Sequence, residues 1–167
     1  FDNIRVQVLP PQLTFDATED FSDGVADFFT GYSNGVWGIN GGRYSVTPNG
    51  ATSVSLLDLG PDSLNVSSYL ELGTKVSTQG RAGFIFDRYG DDCFMFGAID
   101  AATDQVIIGH YTAKSGWVSD AVVSRTINTG TDYALAVAFK GSTVSVTLDG
   151  QVVLGYAFNA ATVDGNF

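Results

Sequence analysis

Lysine, glutamate and cysteine are almost missing from this chain of 167 residues. Lysine occurs only at Lys75, Lys114 and Lys140, and glutamate only at Glu19 and Glu71. These are strong helix formers, so their scarcity argues against a helical protein. Clustered basic residues are absent as well, and the formal net charge is −10. Nucleic acid is therefore excluded as a partner, because a phosphate backbone needs such clusters. An anionic membrane surface is disfavoured for the same reason. No hydrophobic run is long enough to cross a bilayer. Cys93 is the sole cysteine, which rules out a disulfide within the chain. It stands in the apolar run Cys93-Phe94-Met95-Phe96, where a buried structural thiol is expected.

What is present points to strands. Hydrophobic residues make up 44%, enough for a real core, and twelve Phe and seven Tyr join many Val and Thr. Alternating segments are predicted at 1–8, 36–40, 43–47, 52–59, 67–77, 81–87, 93–100, 105–112, 116–124, 132–140, 143–148 and 151–158. Gly41-Gly42, Pro48-Asn49-Gly50, Gly90-Asp91-Asp92, Gly141-Ser142 and Asp149-Gly150 separate them as turns. Residues 18–30 read as an acidic loop, and Pro10-Pro11 as a stiff linker. The expected fold is all-β: a two-sheet antiparallel β-sandwich or jelly roll.

Two segments are specific enough to carry a resemblance. The first is Glu19-Asp20-Phe21-Ser22-Asp23-Gly24 with Gly35-Val36-Trp37 and Gly42-Arg43-Tyr44. The second runs from Arg81-Ala82-Gly83-Phe84-Ile85-Phe86 through Phe94, Phe96 and Ile99-Asp100 to Trp117. Together with the hairpin around Asp149-Gly150 they resemble bacterial concanavalin-A-like (laminin-G-like) lectin and glucanase jelly rolls. The resemblance covers roughly Asp20 to Phe167. Its motifs are core aromatics and turns, which speak to fold more than to function.

Members of that family usually close with a strand like Phe-Asp-Asn-Val-Xaa-Val. This chain instead begins with Phe1-Asp2-Asn3-Ile4-Arg5-Val6 and reaches Gly165-Asn166-Phe167 at the other end. Two explanations stand. Phe1 to Val6 belongs to a preceding module of a cut tandem array, or it fills the closing slot of its own or a neighbouring sandwich. The organisation expected is thus a strand at 1–8, a linker at 9–18 and a lectin-like domain at 19–167. The start at Phe1 without a methionine suits a piece of a longer or processed polypeptide.

The chemistry-bearing residues favour binding over catalysis. Hydrolases of this superfamily set paired carboxylates on one strand face, and no such acid pattern occurs here. His110 is the only histidine, no nucleophile elbow is present, and one His with one Cys cannot make a standard zinc site. Sugar recognition needs an exposed aromatic and nearby polar groups. Tyr89 in its Arg- and Asp-rich turn is expected to be exposed, with Arg88, His110 and Trp117 as further candidate ligand-binding residues; Trp37 is expected in the core. The resemblance implies a structural Ca²⁺ tying the first strand to the last, with Asp2 and Asp20 as its matching residues. Asp87, Asp91 and Asp92, around Arg88-Tyr89-Gly90, form a second candidate calcium site. Asn65-Val66-Ser67 matches a glycosylation acceptor.

The expectation is a lectin-like binding or adhesion module for glycan or matrix, or a structural unit of a larger surface protein or fibre. A glycan-active hydrolase is disfavoured, and a self-assembling subunit joined by strand exchange through Phe1–Val6 is the other alternative. An extracellular or cell-surface setting, bacterial in type, fits the disulfide-free, Asp-rich, Lys-poor composition by association.

Overall fold

The computed structural model describes residues 16–50, 52–57 and 69–162. Phe1–Val6, the 1–8 strand and its linker up to residue 15, Asp2, the acceptor motif at 65–67 and the last five residues lie outside that set. The chain divides into two compact units, with the boundary between Ser55 and Leu56.

In the first unit, β2 (Val36–Asn40) and β3 (Arg43–Thr47) form an antiparallel hairpin. Gly41 and Gly42, at φ 59° and 70°, make its turn. This is the backbone that a Gly-Gly pair adopts without a Cβ penalty. β1 (Phe29–Ser33) pairs with β4 (Val54–Leu57). The loop expected over 18–30 therefore ends sooner, because Phe29 and Thr30 belong to β1. Its partner lies more than twenty residues downstream, and such a pairing leaves no local period in the sequence. Trp37, expected in the core, is instead half-buried in the hairpin of this unit and belongs to neither buried core cluster. It stacks on Tyr44 at 5.1 Å, within a cluster completed by Phe21 and Phe29.

The second unit is the sandwich. One sheet has the order β12-β11-β10-β5, the other β6-β7-β8-β9, and every ladder in them is antiparallel. Their strands are β5 (Tyr69–Val76), β6 (Arg81–Gly90), β7 (Cys93–Asp100), β8 (Gln105–Thr112), β9 (Gly116–Ser124), β10 (Tyr133–Lys140), β11 (Thr143–Leu148) and β12 (Gln151–Ala157). Alternate residues of each strand point to one face. Leu135, Val137 and Phe139 of β10 thus meet Ile99, Val106 and Ile108 of the other sheet in one buried core. The all-β, two-sheet antiparallel sandwich is the fold expected. Among the described residues no helix is long and apolar enough to cross a membrane.

The outer face of β7 and β8 is also buried, around Phe96, Ala98 and Ile107. At its rim Trp117 meets Phe96 edge-on at 5.0 Å, and Arg81 lies over both rings. Arg81 also donates from Nε to buried Asp100 at 3.2 Å. The Asp100 carboxylate in turn accepts the Ala102 N–H at 2.9 Å, capping the turn that follows β7.

Candidate functional site

Two irregularities in the β6-β7-β8-β9 sheet build a groove at one end of the sandwich. In β6 the pairing steps from Phe86↔Met95 to Gly90↔Cys93, so Asp87, Arg88 and Tyr89 stand opposite Phe94 alone. Asp87 takes a left-handed backbone, φ 51°, which a short polar side chain tolerates best after glycine. The detour buries Asp87 at 4% exposure and throws Tyr89 outward at 62%. In β9 the register shifts opposite Ile108 and Gly109, leaving Asp120 as an extra residue between Ser119 and Ala121. A bulge of this kind re-aims a side chain. Here it brings the Asp120 carboxylate 2.6 Å from His110 Nδ1.

The resulting groove has a volume of about 540 Å³. Asp87 and Tyr89 contribute from β6, Met95 from β7, His110 from β8 and Asp120 from β9. The end of β12 and the chain that follows it supply the remaining wall with Tyr156 and Phe158, packed edge to face at 4.8 Å. That wall is pinned at its end by Thr162, whose N–H and hydroxyl both donate to the Gly141 carbonyl, at 2.8 and 2.9 Å. The aromatic rings offer apolar faces, and the Asp120 carboxylate offers a hydrogen-bond acceptor. A His110 that donates Nδ1–H to Asp120 presents Nε2 as an acceptor; the imidazolium presents Nε2–H as a donor.

The residues singled out in the sequence separate on this map. Tyr89 and His110 come together in the groove. Arg88 is adjacent but largely buried along its side chain, and its guanidinium is ion-paired with Asp91. Trp117 is half-exposed at 41% but belongs to the outer-face aromatic cluster and does not line the groove. Cys93 corrects the expectation of a buried thiol: it is exposed. It opens β7 immediately after the turn, directly opposite Thr112, and both residues line the groove rather than the core. Asp120 and Tyr156 are the groove residues that the sequence did not single out, whereas Asp87 was noticed there only as a calcium candidate beside Asp91 and Asp92. A doubled half-buried position at Asp120-Ala121 interrupts the alternation of β9, but it becomes visible only once burial is known.

The acids of the first unit have local tasks. Glu19 accepts the N–H groups of Phe21 and Asp27 through its two oxygens, at 2.8 and 2.9 Å. Asp23 accepts from Val25 at 2.9 Å. Asp20 is held ionised by the Ser22 hydroxyl first and by the Ser22 backbone N–H second (2.9 Å), which lowers its carboxyl below the ordinary aspartate value. A depressed acid stabilises this turn above the ordinary aspartate pKa, and the contribution disappears as pH falls through the lowered value. An NMR titration is expected to place the Asp20 midpoint below the ordinary aspartate range, and Ser22→Ala to move it back up. An unchanged midpoint in Ser22→Ala would remove the hydroxyl as the cause.

Among the described residues, no group of three or more His, Cys, Asp or Glu converges as a metal shell. Asp20 is occupied by its turn, and Asp91 by Arg88, with Asp92 exposed beside it. Asp2 lies outside the described residues.

No family profile and no curated protein matches this chain. Among solved structures, it is similar to the carbohydrate binding module CBM66 from Bacillus subtilis. The TM-score is 0.65 and the identity 16%, over 80% of this chain and 83% of that one. The likeness is one of fold. A second match, Caenorhabditis elegans galectin LEC-6, has a TM-score of 0.41 and 16% identity, over 56% of this chain and 66% of the other.

Proposed function

We propose that this chain is a non-catalytic glycan-binding module whose site is the groove beside Tyr89. The observation that carries the reading is the exposed Tyr89 ring set in one groove with the His110–Asp120 pair. A sugar ring has apolar C–H faces and a polar hydroxyl rim. An open aromatic face with a few fixed polar groups answers both. The fold shared with a protein titled a carbohydrate binding module is in keeping with this. An extracellular or cell-surface setting is part of the same proposal, supported by the composition alone.

The test is a glycan array followed by calorimetry on the strongest ligand, with a reducing-end assay alongside. Tyr89→Ala is expected to weaken binding at least about tenfold, roughly 1.4 kcal/mol. Trp117→Ala is expected to leave binding within about twofold, since Trp117 stands outside the groove. Cys93, as the sole thiol, is a built-in reporter: bound glycan is expected to slow its maleimide labelling. Full binding by Tyr89→Ala with unprotected Cys93 would place the site elsewhere. Release of reducing ends would return the protein to the hydrolases.

A further inference from the structure

The wall of the groove carries one amide side chain, Asn159, two residues beyond the end of β12. Asn159 is exposed, and its side chain has no hydrogen-bond partner among the described residues. The backbone around it, by contrast, is held on both sides. Before it, the Phe158 N–H donates to the Ser142 carbonyl at 2.8 Å. After it, buried Thr162 makes its two bonds to the Gly141 carbonyl. Both acceptors belong to the turn between β10 and β11. That turn is itself fixed: Gly141 takes φ 60°, and the Thr143 hydroxyl donates to the Lys140 carbonyl at 2.8 Å. Between the two pins stand only Asn159, Ala160 and Ala161. Asn159 is thus the one side chain of that span able to make hydrogen bonds.

From this placement we infer that Asn159 is a ligand-contacting residue of the groove, reading two adjacent free hydroxyls on a glycan. The inference rests on the reading of the groove as a glycan site and adds the hydroxyl pattern that the site recognises. A primary amide sets a carbonyl acceptor beside an N–H donor. Neighbouring hydroxyls on a sugar ring return a donor and an acceptor, so both bonds form together. The pinned backbone means that little main-chain freedom is lost when the ligand is engaged. Tyr89 and Asn159 then divide the work: the ring covers an apolar sugar face, and the amide fixes which hydroxyls stand beside it. A site built around such bonds discriminates against an analogue lacking one hydroxyl, because its polar group is left unpaired.

The experiment uses the whole chain and four neutral probes: gluco-, galacto-, manno- and fructo-oligosaccharides, each beside its monodeoxy analogues. Calorimetry on whichever parent binds is expected to single out one adjacent pair of hydroxyls. Loss of either member should weaken binding at least about tenfold, the scale of one or two neutral hydrogen bonds. Asn159→Ala is expected to weaken the parent by a similar factor. That variant should also bind the parent and those two analogues alike, since the group that told them apart is gone. It should melt like the wild type, because Asn159 is exposed and its side chain bonds to none of the described residues.

Wild type that binds every monodeoxy analogue as well as the parent would overturn the inference and leave glycan binding intact. So would Asn159→Ala that holds the parent within about twofold of wild type, or that keeps the same discrimination. In these cases Tyr89→Ala still reports whether the groove is the site. Silence of the wild type toward all four parents would sink the glycan reading itself and this inference with it.

Discussion

Phe139→Ala is expected to cost the sandwich about 3–5 kcal/mol, the range for truncating a buried phenylalanine. Phe139 is 1% exposed and stacks on fully buried Phe86 at 4.8 Å, across the two sheets. Both rings belong to the one large core cluster. Its ladder neighbours are Leu70 on one side and Val144 on the other, each itself part of that core. Removing the ring leaves a cavity bounded by two hydrogen-bonded sheets, which relax little toward each other. Urea unfolding checks this: the midpoint should fall with the slope unchanged, and the melting temperature should drop by about 10 °C. Phe139→Leu fills part of the space and should lose less. A loss under about 1 kcal/mol would mean that these rings are not at the centre of the fold.

Gly109→Ala is expected to be as damaging, by the opposite fault. A Cβ there would lie 2.1 Å from the Val118 carbonyl oxygen and 2.6 Å from the Phe96 ring. The ring can turn a little, but the carbonyl is part of the β8–β9 ladder and cannot move alone. Overpacking of this kind costs about 1–3 kcal/mol where side chains can adjust, and more where backbone must shift. The damage also reaches the groove. Gly109 sits at the register shift that sets Asp120 beside His110, so binding should be lost together with stability. Gly73→Ala is the control, because its nearest neighbour would be the Ala136 Cβ at 3.9 Å. That variant should stay within about 1 kcal/mol of wild type in the same urea assay. Equal behaviour of the two variants would refute the account of Gly109.

Periodicity and turn chemistry made most strands legible. β2, β3, β7, β8, β9 and β11 fall on the residues that alternation and turn signals mark out. Asp149-Gly150, at φ 49° and 78°, makes the tight turn its sequence announces. β1 escaped because its partner β4 is remote in sequence. Only half of the candidate site was legible, for a related reason. Tyr89 and His110 are chemically conspicuous where they stand. Asp120 and Asp87 acquire their places from breaks in the strand pairing, and simple alternation hides such breaks. Trp117 drew notice as a large aromatic, but parity sets it with Tyr111 on the outer face. Cys93 misled because its apolar neighbours suggested burial, while its position at the strand end decided the matter.

The extra residue in β9 separates the chemistry of the groove from the architecture beneath it. Residues 121, 122 and 123 pair with Ile108, Ile107 and Val106 as they would in an unbroken strand. Asp120 therefore occupies an inserted slot, open to substitution without repacking the core. Such a position lets a lineage, or a designer, exchange the side chain that faces the groove while keeping the scaffold. Comparisons between related chains that align β9 by strict alternation will slip one residue there and pair the wrong amino acid with Asp120.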